Sequence, residues 1–251
     1  MISKALISQI RFLHHKKHRD EQGVFIVEGV KSCLEVLQSD LEVVQCYTTS
    51  SHSERSEESQ TNWITISEKE MERISCLTTP SEILCIVKKP HYNIHTLDDT
   101  KPLLVLDAIR DPGNLGTIIR TADWFGFTQI LCSEDCVEFT NPKVIQATMG
   151  SFTRVKVVYA NLVDYLKTQT CRTIYGLTMK GELIHEQVFK SNDIVIIGSE
   201  SHGISAELIS IIKTKIEIPM FSHENKVPES LNASIAAAIF MYQYRTINKT
   251  P

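Results

Sequence analysis

Residues 103–120 read Leu-Leu-Val-Leu-Asp107-Ala-Ile-Arg-Asp-Pro-Gly-Asn114-Leu-Gly116-Thr-Ile-Ile-Arg120, and this stretch decides the fold. Its first four residues are a continuous apolar run rather than an alternating one, as in a strand buried on both faces of a parallel sheet. Asp111-Pro-Gly is turn chemistry, and Asn114 is a residue type suited to cap a helix. Beyond it Leu115, Ile118, Ile119, Ala122 and Phe125 recur at helical spacing, and Gly126 closes the pattern. The same alternation continues downstream. Strands are expected at Gln129–Cys132, Val155–Tyr159, Thr173–Leu177, Ile194–Ile197 and Ile216–Ile218, with helices at 114–125 and 141–148 and an alanine-rich helix from near Asn232. Strands alternating with helices predict an α/β domain with a parallel sheet over residues 102–251.

Upstream, residues 1–88 read as a small α/β unit. A helix is expected over 3–18, with Ile7, Ile10, Leu13 and Ala5 on its apolar side. There follow a strand at Val24–Val27, a helix from Val30, and strands at Val43–Tyr47, Trp63–Ile66 and Ile83–Val87. Ser67-x-x-Glu70 is a capping-box signature opening a helix to about Cys76. The polar run 49–61 predicts a surface loop or an unstructured insert. Residues 89–101, polar and containing Pro90, predict a linker between two domains.

At 251 residues, 42% hydrophobic and 22% charged, with formal net charge −4, the composition fits an ordinary folded protein and argues against one that coats nucleic acid indiscriminately. No apolar run is long enough to span a bilayer, and the N-terminus carries no signal-peptide pattern. Seven cysteines, an odd number without a Cys-x-x-Cys pair, read as reduced core residues of a cytoplasmic protein. Cys132-x3-Cys136 without a nearby histidine is a poor metal site, so no metal is expected. Between Lys4 and Arg19 stand five Lys or Arg, three His and no acid. That run is either a solvated helix face or a positive field for a polyanion. In the second reading Lys16, Lys17 and Arg19 contact the phosphates of such a polyanion.

Three segments of the C-terminal half carry candidate chemistry, each with a bland alternative. Arg120 lies beside the apolar stripe of its helix, on the face shared with Thr117 and Trp124, where a solvated arginine is the simpler reading. Ile197-Gly198-Ser199-Glu200-Ser-His-Gly203-Ile204 follows a buried strand, where open α/β sheets place ligands, although a tight turn with a solvated Glu200 explains it equally. Ile218-Pro219-Met220, then Phe221 to Glu229, then Ser230-Leu231-Asn232-Ala233-Ser234 leads into the alanine-rich helix. Ser230 and Asn232 suit a helix start whose free N–H groups hold an anion, or the helix is alanine-rich for propensity or close packing.

Taken together and in this order, N-L-G-x-x-x-R, I-G-S-E-x-x-G-I and I-P-M…S-L-N-A-S-x-A-A-A resemble the three motifs of the SpoU (TrmH-like) RNA ribose 2′-O-methyltransferases of the SPOUT class. The resemblance covers residues 102–246 in detail. It reaches the N-terminal half more loosely, through Phe25-Ile-Val-Glu-Gly29 after a basic helix. It implies a C-terminal trefoil knot, a homodimer, and S-adenosylmethionine held in the knot. It would place Leu177, Thr178, Gly198, Ile218, Leu231 and Ala233 against the methyl donor, and Asn114, Arg120, Glu200, Ser230 and Asn232 around the acceptor ribose. The implied substrate is ribosomal RNA, with transfer RNA the alternative. Two departures stand out: the nine residues Phe221–Glu229 lengthen the third motif, and Gln146 occupies a position where many relatives carry arginine.

A guanidinium is a poor base. Arg120 is therefore expected to clamp a substrate phosphate, with Asn114 and Glu200 holding its fork. The dimer face is expected on Ala236, Ala237, Phe240 and Tyr244 with part of helix 114–125. A non-catalytic RNA-binding protein of the same fold would lack the acceptor residues, which are all present here.

Overall fold

The structure, a computed structural model, describes residues 2–49, 62–221 and 229–248. The expected insert at 49–61 thus falls almost wholly outside the described residues, as does most of the lengthened segment 221–229. The chain divides into two compact units, residues 1–91 with 138–153, and residues 92–137 with 154–251.

The first unit begins with α1 (Lys4–Phe12) and α2 (Lys16–Gln22). Next come β1 (Val24–Glu28), α3 (Val30–Leu37), β2 (Val43–Thr49), β3 (Trp63–Ile66), α4 (Glu68–Ile74) and β4 (Ile83–Lys88). Its sheet has the order β1-β4-β2-β3, antiparallel except for the β2/β3 pair. The capping box forms as expected: Glu70 N–H donates to Ser67 Oγ, and Ser67 N–H donates to the Glu70 carboxylate at 3.0 Å. Donation from Ser67 N–H, then from Ile2 N–H and the Ser67 hydroxyl, holds the Glu70 carboxyl down at about 2.

One helix was expected over 3–18, and two are found. The chain turns at Leu13–His15, where His15 is extended. At the break one side chain takes up a freed carbonyl and another ties the turn to the end of α4. Arg19 Nη1 donates to the Leu13 carbonyl at 2.7 Å, and His14 Nε2 lies 3.1 Å from the Ile74 carbonyl. Ile7, Ile10 and Leu13 are buried as expected, whereas Ala5 is exposed.

The second unit holds β5 (Leu103–Asp107), α5 (Pro112–Trp124) and β6 (Gln129–Cys132). The chain then gives α6 (Pro142–Thr148) to the first unit, where α6 packs on β1, and Phe25 makes edge contacts with Phe139 and Phe152. It continues with β7 (Lys156–Tyr159), α7 (Leu162–Thr168), β8 (Ile174–Leu183), β9 (Ile194–Gly198), α8 (Ala206–Ile209), β10 (Thr214–Glu217) and α9 (Ala233–Asn248). The six-stranded sheet runs β10-β8-β9-β5-β6-β7, and every pair is parallel. Its middle strands are buried throughout, with Leu103, Val105, Leu131, Ile194 and Ile196 fully enclosed beneath α7 and α8. The parallel α/β sheet read from the apolar runs is therefore present.

Two boundaries differ from expectation. The division places 138–153 with the first unit rather than within 102–251. It also places residues 92–101, expected as linker, in the second unit. Buried Arg172 donates to the carbonyls of Lys101 and Asn192 and pairs with Asp99, and the Gln129 amide brackets Asp98. Polar composition signalled a linker, but here the polar groups have buried partners.

A candidate active site at three strand ends

Helix α5 starts two residues before Asn114. Asp111 is the cap, its carboxylate accepting Asn114 N–H at 2.8 Å, and Pro112 supplies the first helical residue, which needs no N–H donor. Asn114, expected as the cap, stands in the first turn with its side chain free for another partner. At the far end Gly126 adopts φ +68°, and Phe127 N–H bonds the Ala122 carbonyl at 2.8 Å. This left-handed ending turns the chain into β6. The turn after β5 is equally constrained. Ala108 has φ +55° with its N–H on Ser133 Oγ, and Ile109 N–H donates to Cys136 Sγ. The Cys136 thiol is pulled down to about 7, chiefly by the hydrogen bond from Cys132.

Beside the middle of β8, beyond the carboxyl end of β9 and beside the segment leaving β10, lies a cavity of about 730 Å³. Leu177 and Thr178 line it from β8, Gly198 and Glu200 from β9 and its following loop, and Ile218 from the segment after β10; Ser230, Leu231 and Ala233 line it at the start of α9. All six residues implied for donor binding thus share one cavity. Gly198 is required by close approach: a Cβ there would lie 2.1 Å from the carbonyl carbon of Gly203. Gly203 itself takes φ +67°, and its N–H returns to the Ser199 carbonyl at 2.8 Å.

At the cavity edge the three motifs meet in one hydrogen-bond cluster. Glu200 Oε1 accepts Asn114 Nδ2 at 2.5 Å, Ala233 N–H at 3.1 Å and Asn232 Nδ2 at 3.2 Å. Asn232 Nδ2 also donates to Asn114 Oδ1 at 2.9 Å, while Asn232 Oδ1 caps α9 by accepting Ser234 N–H and Ser234 Oγ. The carboxylate thereby sits on a helix N-terminus, where negative charge is favoured.

Arg120 does not join this cluster. It is exposed on α5, and among the described residues Asn114 and Glu200 bond each other and Asn232 rather than its fork. The reason is spacing: Asn114 and Arg120 are six residues apart, more than one and a half turns. Arg19 is corrected more fully. It is 2% exposed and forms an ion pair with Glu138, so it is a structural cation of the first unit and not an RNA contact. Lys16 and Lys17 are exposed. The expected dimer face is also corrected, because Ala237, Phe240 and Tyr244 are buried within the chain, and Phe240 and Tyr244 pack on Phe127 and Phe189. Met179, Phe221, Ile204 and Glu229 line the cavity without having been singled out. Ile204 closes the second motif and Phe221 and Glu229 bound the lengthened segment of the third, whereas Met179 lies mid-way along β8 and carries no signal of its own. Among the described residues no group of three or more His, Cys, Asp or Glu could hold a metal ion, and no helix is long and apolar enough to cross a membrane.

Solved structures share this architecture. A putative RNA methyltransferase of the TrmH family from Porphyromonas gingivalis superposes with TM-score 0.89 at 30% identity, covering 98% of this chain and 99% of that one. An AdoMet-bound rRNA methyltransferase from Sinorhizobium meliloti gives 0.87 at 24% identity over 98% and 96%, a likeness of fold. The fold is the one that these RNA methyltransferases share. A 23S rRNA (guanosine(2553)-2′-O)-methyltransferase of Bacillus subtilis is 29% identical over 93% of both chains. The model of the SpoU rRNA Methylase family matches residues 101–242, and the chain belongs to that family. An MRM3-like substrate binding domain model matches residues 4–85.

Proposed function

We propose that this protein transfers the methyl group of S-adenosylmethionine to a ribose 2′-hydroxyl of ribosomal RNA, as a cytoplasmic homodimer with a knotted C-terminal segment. The observation that carries the reading is the Asn114–Glu200–Asn232 cluster on the edge of the cavity, which ties the three motifs into one site. The cavity suits the donor. Its volume is that of a pocket for a molecule of cofactor size. Leu177, Ile197, Ile218 and Leu231 offer apolar walls to an aromatic base, and Glu200 and Glu229 offer negative charge to a cationic sulfonium and ammonium. When bound, S-adenosylmethionine supplies an electrophilic methyl group.

The chain's own residues then have separable tasks. Glu200 Oε1 is engaged by three donors, so this oxygen orients Asn114 and Asn232 rather than moving a proton. Arg120, exposed and permanently charged, binds a substrate phosphate as a planar fork and thereby orients the adjacent hydroxyl. Alignment of this kind accounts for much of the acceleration. Lys16 and Lys17 supply cations for RNA from the first unit. The homodimer forms on the exposed apolar residues of α5 and α9, Trp124, Ile235 and Tyr242, a face whose exposure suits a second copy. Incubation of the protein with radiolabelled S-adenosylmethionine and ribosomal RNA, followed by nucleoside mapping, tests the proposal. A 2′-O-methyl nucleoside is expected, and label found only on a base, or on no RNA, overturns it.

A further inference from the structure

We infer that Asp107 is a positioning residue for the methyl-donor cavity, pinning the loop 199–205 to the sheet. Asp107 is the last residue of β5 and is only 8% exposed. Its Oδ2 accepts Ser205 N–H at 2.7 Å across 98 residues of sequence. The loop needs such an anchor. It leaves β9 at Gly198, which pairs with Asp107 itself, and folds back so tightly that Ser199 and Gly203 form an isolated bridge. That bridge and a 3.4 Å bond from His202 N–H to Ser199 Oγ close the loop on itself. Neither fixes its outgoing end to the sheet. At this end Ile204 packs against the core, and the adjoining Ser205 N–H is held by the Asp107 carboxylate.

What hangs on the anchor is the cavity wall. Ser199, Glu200, His202, Gly203 and Ile204 all line the cavity, whereas Asp107 does not. Movement of the loop would also carry Glu200 away from Asn114 and Asn232, whose hydrogen bonds to it are directional. A carboxylate suits the task because a charge-assisted bond to a backbone N–H is stronger than a neutral one. Asp107 therefore acts through the loop, not on the substrate.

The inference rests on this cavity being the S-adenosylmethionine site, and the test separates the two. S-adenosylmethionine binding is measured by calorimetry on the intact protein, on Asp107→Ala and on Asp107→Asn. Amide hydrogen exchange is followed on each without ligand. Asp107→Ala should weaken binding at least about tenfold, the scale of one lost charge-assisted bond. It should speed exchange at 199–205 while strands β5 and β9 stay protected. Asp107→Asn retains an acceptor oxygen and should remain within about threefold of the parent, with slow loop exchange. If Asp107→Ala does not fold, Asp107→Ser, whose hydroxyl lies a bond short, is read in its place. Unchanged affinity in the shortened variant, loss of protection across the sheet as well as the loop, or an asparagine variant as weak as alanine overturns the inference. Failure of the parent protein to bind S-adenosylmethionine overturns the site assignment instead.

Discussion

Glu28 in the first unit and Glu200 in the second each gather donors from segments far apart in the chain, yet they end in different circumstances. Glu28, 7% exposed, accepts Ser75 Oγ at 2.5 Å and Ser81 N–H at 3.2 Å on one oxygen and Cys76 N–H at 2.9 Å on the other. Both oxygens are satisfied and the 75–81 loop is locked. Glu200 is exposed and lines a cavity, and its three donors among the described residues all meet Oε1. A carboxylate enclosed in the interior with donors on both oxygens is architecture. One that holds its neighbours from one side while facing a cavity has capacity left for a ligand. Local sequence does not distinguish them, since each stands at or just past the end of a buried strand: Val-Glu-Gly in one case, Gly-Ser-Glu in the other.

The comparison can be broken. The largest effect is expected at Arg120, which belongs to neither carboxylate cluster. Arg120→Ala should lower methyl transfer by about 10²–10³-fold or more with donor affinity within a few-fold, measured by single-turnover assay and calorimetry. Arg120→Lys should also fail, because a point charge does not copy a planar fork. Glu28→Ala and Glu200→Ala come next and should diverge. The first should destabilise the protein by about 2–4 kcal/mol, because it strands two backbone donors, with donor affinity unchanged in urea-free buffer. The second should cost under about 1 kcal/mol in the same urea titration, as expected for an exposed group, but should lose most turnover. Equal losses of stability with turnover intact would erase the distinction drawn here.

Smaller effects sharpen it. Trp124→Glu should shift sedimentation equilibrium toward monomer at micromolar concentration, and an unaltered dimer would move the interface elsewhere. Smallest is the effect of Lys16→Ala with Lys17→Ala. At ~0.7 per phosphate for single strands, the log–log salt slope of RNA affinity should flatten by roughly 1.4. Arg19→Ala added to that pair should leave the slope where it is and lower the melting temperature, because its charge is spent on Glu138.

What was legible in the sequence was what adjacent residues decide. Leu103–Leu106 and Ile194–Ile197 declare buried parallel strands by being apolar without interruption, and Ser67-x-x-Glu70 declares a helix start by the reach of two side chains. What was not legible depended on partners far along the chain. The basic run near the N-terminus gives no hint that one of its cations meets Glu138, 119 residues away. The small and aromatic residues of α9 look like an interface because helical periodicity identifies an apolar face without saying what covers it. Asn114 was read as a cap because its residue type fits one, whereas Asp111-Pro112 had already begun the helix.

The excursion of residues 138–153 into the first unit has a consequence for how such a gene can be divided. The polypeptide passes between the units after residues 91, 137 and 153, so three covalent junctions join them rather than one. A truncation anywhere in 88–101 would yield a C-terminal fragment still carrying α6, whose buried Val144 and Ile145 would have lost the β1 surface they pack on. Such a fragment would present a greasy, orphaned helix to solvent. Swapping the N-terminal piece with that of a relative would graft β1 under a foreign α6, so the recombinable module includes the stretch Glu138–Thr153 with residues 1–91.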